Sequence, residues 1–167
     1  MAPLHTRQRY FSGAPTSEDP PASNGLACLP VDAALLQRSE LTGLAELAGF
    51  AAGDYGSTEA FLQHGFGLCL TREQELLAWC TTDCVVGERA ELGIATRPGH
   101  RRQGHGALVA RKMLAECHRR GIQQVGWHCF EQNLASAATA LAAGLEERKP
   151  HDLAQYWLSP IDGHLVH

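Results

Sequence analysis

The chain has no large excess of either charge. Fourteen Lys and Arg stand against eighteen Asp and Glu, a formal net charge of −4 with the nine histidines neutral. A dedicated nucleic-acid binder carries a strong basic excess, so no nucleic-acid partner is expected. Long apolar runs are also missing. No stretch can span a bilayer, and the opening MAPLHTRQRYFSG holds no apolar leader segment, so no membrane partner is expected either. The cysteines Cys28, Cys69, Cys80, Cys84, Cys117 and Cys129 are scattered, without a CxxC pair. Their expected state is free, mostly buried thiols in a reducing cytoplasm. A zinc site from Cys80, Cys84, His128 and Cys129 can be drawn, but it matches none of the usual paired-ligand spacings, and no metal is expected.

What is present is an ordinary globular balance. Of 167 residues, 44% are apolar and 19% charged, enough for one domain with one buried core. Residues 1–25 include PTSEDPPASNG and read as a loose N-terminal arm, the alternative being an ordered strand or arm that docks on a partner subunit. Residues 26–167 are then a single domain.

From Val31 to Phe50, apolar residues recur at helical spacing; Gly43 and Gly49 leave one helix or two short ones open. GDYGS is a turn, and Ser57 can cap a short helix through TEAFLQH that ends at Gly65. Phe66–Thr71, Leu76–Val86 and Ala90–Thr96 read as strands joined by short turns, hence an antiparallel meander. Gly104–Arg120 reads as an amphipathic helix. Ala107, Leu108, Ala110, Met113, Leu114 and Cys117 face inward, while Arg111, Lys112, Glu116, Arg119 and Arg120 face water. Gln124–Phe130 is a further strand. Asn133 opens a helix closed by Gly144, and Glu146–Leu158 carries one or two strand candidates around AQYWL. The order helix, meander, helix, strand, helix, strand implies an α/β or α+β class with a mixed sheet.

The clearest chemical signal is RRQGHGA at 101–107, between a strand and a helix. A helix start presents unpaired N–H groups and a partial positive charge, which suits a pyrophosphate. Gly104 and Gly106 let a phosphate approach the backbone, and Arg101 and Arg102 add positive charge. A dinucleotide fingerprint would need a glycine where Val109 stands, and no Gly-Lys-Ser/Thr ending exists for a P-loop.

ELGIATRPGHRRQGHGALVARKMLAEC resembles the cofactor motif of the GNAT superfamily, a strand and short loop before R/Q-x-x-G-x-G/A opening a helix. Arg101, Gly104 and Gly106 fill its defined places. WHCFEQNLASAATALAAGL resembles the strand and Asn-initiated helix that follow, with Asn133, Ser136 and Gly144 in register, and HGFGLCLTREQELLAWCTTD resembles a subgroup with a long acceptor-side N-terminal region. The resemblance covers roughly residues 30–158 and implies a mixed, mostly antiparallel central sheet flanked by helices.

It also implies an N-acetyltransferase that moves an acetyl group from acetyl-CoA to a primary amine of a small molecule or peptide, as a monomer or homodimer. The backbone of Arg102, Gln103, Gly104, His105, Gly106 and Ala107 would hold the pyrophosphate, and Ile94, Ala95 and Thr96 would pair with the pantetheine arm. Glu91 is the candidate base: glutamate is disfavoured in strands, and it alternates with small Gly93 and Ala95. The family's usual acidic tyrosine would fall at Ala140, leaving Tyr156, Tyr55, Ser136, Cys129 or water as the acid. Asn133 and Ser136 are candidates for the cofactor arm, with helix capping the competing role of Asn133. His128 either reaches the thioester or is structural. Trp79 and Trp127 read as core, while Asp54 and Tyr55 border the acceptor or merely form their turn. The other two readings are an acyl-CoA-binding sensor or subunit without turnover, and a nucleotide-binding protein.

Overall fold

A computed structural model describes residues 7–22 and 25–149. Among these residues seven strands form one sheet: β1 (Gln8–Gly13), β2 (Leu26–Pro30), β3 (Gly67–Arg72), β4 (Glu75–Val86), β5 (Arg89–Thr96), β6 (Gln124–Phe130) and β7 (Glu146–Arg148). Their order across the sheet is β2-β3-β4-β5-β6-β1-β7. Four α-helices among the described residues flank it: α1 (Leu44–Ala52), α2 (Thr58–His64), α3 (His105–Arg119) and α4 (Leu134–Ala142). The region from Val31 to Phe50 therefore resolves into a 3-10 turn at Leu35–Gln37 and the start of α1, not one continuous helix.

Alternation along the strands sorts side chains between two cores. On one face Leu70, Ala78, Cys80, Leu92, Val125 and Trp127 pack against Val109, Met113 and Leu114 of α3 and Ala137 and Ala140 of α4. On the other, Cys69, Leu76 and Trp79 pack against Leu47 and Ala51 of α1 and Phe61 of α2. Trp79 and Trp127 are core residues, as expected. The caps read from the sequence are formed. Ser57 Oγ accepts from the Ala60 N–H at 3.1 Å, and Asn133 Oδ1 from the Ser136 N–H at 3.1 Å.

All neighbouring strands are antiparallel except β5 and β6, which α3 links as a parallel crossover. That pairing is short. It joins Arg89 to Gln124, Ala90 to Val125 and Glu91 to Gly126, and then stops. Beyond Glu91 and Gly126 the two strands no longer bond to each other.

Two expectations are corrected, and one strand is new. The reading of residues 1–25 as a loose arm does not hold for Gln8–Gly13, which form β1, bonded to β6 on one side and β7 on the other. The Pro- and Ser-rich stretch lies after this strand; within it, Phe11 is wholly buried and Tyr10 nearly so. β2 was not anticipated either, because LACLP is a short edge segment with little alternation. Lys112, expected in water, is 9% exposed, since the chain after β1 crosses α3 and Asp19 Oδ1 takes the Lys112 ammonium at 2.7 Å. The AQYWL strand candidate lies outside the described residues.

The buried position of Phe11 makes β1 testable. Phe11→Ala should cost about 3–5 kcal/mol in urea unfolding, the usual range for emptying a buried phenylalanine site. A change near zero would mean that β1 is not part of the folded sheet.

Candidate active site

The end of the β5–β6 pairing opens a cleft of about 430 Å³, within the usual range for small-molecule sites. One wall is Leu92, Gly93 and Ile94 of β5, and the other is Trp127, His128, Cys129 and Phe130 of β6. Asn133 and Ser136 of α4 border it on one side of the sheet. Asp83 of β4, with Phe50 and Asp54 at the end of α1, borders it on the other. Gln8 of β1 also reaches it.

The glycine turn stands at the C-terminal end of β5. Gly104 precedes α3 with φ of +80°, a left-handed conformation that a side chain resists. An added Cβ there would meet nothing within 4 Å, so the backbone faces open space. The first backbone bond of α3 runs from the Leu108 N–H to the Gly104 carbonyl at 3.0 Å. The N–H groups ahead of it therefore remain available to an anion, as a helix start dictates. Gly106 packs toward the cleft, where a Cβ would sit 3.2 Å from Thr96 Oγ1.

Side chains brace this turn. Arg101 Nε donates to the Thr96 carbonyl at 3.2 Å, Gln103 Nε2 to the Gly99 carbonyl at 3.3 Å, and His105 Nδ1 lies 3.2 Å from the His100 carbonyl. Arg101 and Arg102 are exposed, and His105 is buried. Ile94, Ala95 and Thr96 bond to β4 on one side, while their other backbone edge has no bond to β6. Turn and free strand edge are contiguous, which fits an elongated ligand carrying a phosphate at one end.

At the vertex of the cleft a polar cluster occupies the α1–α2 face. A bulge in β4 between Thr82 and Cys84 turns Asp83 over β5. A Cβ on Gly93 would strike Asp83 Oδ1. The space expected beside Glu91 is thus partly filled by a second carboxylate. A Cβ on Gly126 would strike Glu91 Oε1 and Tyr10 Oη, so glycine there is what admits both groups. Tyr10 Oη donates to Glu91 Oε1 at 2.9 Å. His128 Nδ1 lies 3.8 Å from Glu91 Oε2, an ion-pair distance too long for a hydrogen bond. The Glu91 carboxylate nevertheless raises the His128 imidazole above its ordinary value. Burial pushes Asp83 up to about 6; the Asp54 charge adds to this and the His128 charge opposes it.

The remaining sequence candidates divide. Ser136 Oγ accepts from Trp127 Nε1 at 3.0 Å, which fixes the indole in the cleft wall. Asn133 has its capping role and also lines the cleft. Tyr55 Oη is 2.8 Å from Thr82 Oγ1, and burial raises its phenol. Ala140 is wholly buried. Cys129 is buried, with Sγ 3.9 Å from the Asn133 carbonyl. Tyr156 lies outside the described residues. Cys80 and Cys129 belong to the α3–α4 core while His128 is on the opposite face, so the drawn zinc set does not converge. Sequence reasoning missed Tyr10 and Asp83. The β-bulge that aims Asp83 left no sequence signal, and Tyr10 sat in a segment read as an arm.

A family model for GNAT acetyltransferases matches residues 24–153. This chain belongs to that family, and the mixed sheet with four flanking helices is its fold. Among solved structures, a GCN5-related N-acetyltransferase-like protein from Streptococcus suis is similar with a TM-score of 0.64 at 18% identity, covering 87% of this chain and 61% of that one. A GCN5-related N-acetyltransferase from Sphaerobacter thermophilus gives 0.58 at 13% identity, covering 86% and 49%. The ribosomal-protein-S18-alanine N-acetyltransferase from Escherichia coli gives 0.55 at 22% identity, covering 74% and 79%. The chain thus spans about three fifths of the Streptococcus suis protein's length. A search of the curated proteins finds no match. Among the described residues no helix is long and apolar enough to cross a membrane.

Two outcomes follow from this geometry. Gly104→Glu should remove detectable acetyl-CoA binding in calorimetry while the protein stays folded, because a side chain at φ of +80° strains the exposed turn and brings bulk and negative charge to it. Undiminished affinity in the folded variant would reject the phosphate turn. A carboxyl raised on folding, like Asp83, stabilises the fold below its unfolded value and loses that contribution as pH rises through its folded value, here from about pH 4 to 6. Asp83→Asn should therefore raise the melting temperature at pH 8 clearly more than at pH 4; an equal change at both would contradict the shift.

Proposed function

We propose that the protein is an N-acetyltransferase that moves an acetyl group from acetyl-CoA to a primary amine of a small molecule or peptide by direct attack. The observation that carries this reading is the separation of β5 and β6 immediately beyond Glu91, the last paired residue of β5, with the glycine turn following the end of that strand.

Acetyl-CoA supplies the acyl carbon and a thiol leaving group. The N–H groups from Arg102 to Ala107 hold its pyrophosphate, with Arg101 and Arg102 adding charge. The open edge of Ile94, Ala95 and Thr96 takes the pantetheine arm as an added strand, and Asn133 and Ser136 border that arm. Glu91 accepts a proton from the amine as the nitrogen–carbon bond forms and the carbon–sulfur bond breaks. The departing sulfur takes its proton from Tyr156 or from water.

The carboxylates Asp54 and Asp83 beside the cleft favour an acceptor carrying positive charge, since a local negative field concentrates protonated amines. The six free thiols suit the cytoplasm. A monomer and a homodimer are equally compatible with a cleft built from one chain.

Thiol release should be measured with acetyl-CoA and a panel of neutral, mono- and dicationic amines and N-terminal peptides. The reading requires release with at least one acceptor. It also requires that Glu91→Gln lower turnover by about 10²–10³-fold, in line with the loss of a general base, and flatten the acidic limb of the pH–rate profile. Acetyl-CoA binding without release from any amine would favour the acyl-CoA sensor instead. An unaltered pH–rate profile in Glu91→Gln would remove Glu91 from the mechanism.

A further inference from the structure

The sheet places an N-terminal strand where it completes the reaction centre. Strand β1 lies between β6 and β7, and Tyr10 pairs with His128 in the β1–β6 register. Both side chains fall on the face that carries Glu91. Tyr10 is 6% exposed, and its hydroxyl reaches across the glycine gap at position 126 to Glu91 Oε1 at 2.9 Å. The other oxygen, Oε2, is buried and has no hydrogen-bond partner among the described residues.

We propose that Tyr10 is the positioning residue for the base: it clamps Oε1 of Glu91, so that Oε2 is the oxygen left without a partner to take the amine proton. The inference rests on Glu91 being the base and adds the device that orients it. A glutamate side chain has three rotatable bonds, and a carboxylate free to turn would spend much of its time away from the reacting proton. A phenolic donor on one oxygen removes that freedom. Two features make room for the clamp. Gly126 has no Cβ where Oε1 and Oη meet, and β1 is pinned by Phe11 in the core and by the Arg9–Glu147 pair at 2.7 Å. The site is therefore incomplete without residues 8–13.

Other titratable groups share the cluster. His128 faces Glu91 from β6, Asp83 and Cys84 from β4, and Asp54 from the segment after α1. The Tyr10 hydroxyl is the one direct hydrogen bond to that carboxylate among the described residues.

The test follows the carboxyl itself and needs no acceptor. Protein carrying ¹³C at the glutamate carboxyls and the tyrosine Cζ is titrated between pH 3 and 9, with Glu91 assigned by the resonance lost in Glu91→Gln. In the unaltered protein the Tyr10 Cζ resonance should step at the pH where the Glu91 carboxyl titrates. In Tyr10→Phe, which keeps the ring, the Glu91 midpoint should rise, because a hydrogen bond that the charged carboxylate accepts is lost. Absence of the Tyr10 step would overturn the proposal without any substitution, and so would an unmoved midpoint in folded Tyr10→Phe. If the midpoint moves while Glu91→Gln leaves the pH–rate profile of thiol release unchanged, Tyr10 orients a carboxylate that is not the base. It is then the functional reading that fails.

Discussion

The molecule depends on one incomplete strand pairing. Parallel strands β5 and β6 share three residue pairs and then part, although each continues for several residues with its other neighbour. Among the described residues, backbone N–H and C=O groups on the facing edges have no strand partners, which is costly unless water or a ligand supplies them. The separation is held by the layers on either side. Core packing of α3 and α4 fixes one face, and α1 and α2 fix the other. The cleft, the free edge of Ile94–Thr96 and the exposed start of α3 all follow from it.

The chemistry at the vertex comes from small residues that let large polar ones meet. Gly126 and Gly93 lack the atoms that would keep Glu91, Tyr10 and Asp83 apart. A bulge reorients Asp83, burial pushes it up to about 6, and Glu91 in turn raises His128. Four strands and the end of α1 supply these groups, so their geometry depends on the sheet as a whole and not on any single loop.

Much of this was legible in the sequence. The glycine turn before α3, α3 itself, α4 with its Asn133 cap and the three-strand meander follow from local patterns that need no tertiary context: glycines before an amphipathic helix, a capping side chain, alternation between short turns. Glu91 stood out because a glutamate inside an apolar strand needs a reason. What escaped was non-local. The segment QRYFSG is too short to announce a strand, and a proline-rich neighbour hid it; only its bonds to β6 and β7 order it. Lys112 read as solvated because its partner Asp19 lies 93 positions away. Asp83 looked like an ordinary strand residue because a bulge is a property of two paired strands. The placement of Tyr10 and Asp83 beside Glu91 thus required the register.

The central claim is that the turn and the free β5 edge form one continuous site for acetyl-CoA. Titrating ¹⁵N-labelled protein with acetyl-CoA and following every backbone amide tests it directly. The account predicts saturable shifts concentrated at Gln103–Ala107 and Ile94–Thr96, with smaller ones at Asn133 and Ser136. Shifts centred elsewhere, or none at saturating ligand, would contradict it.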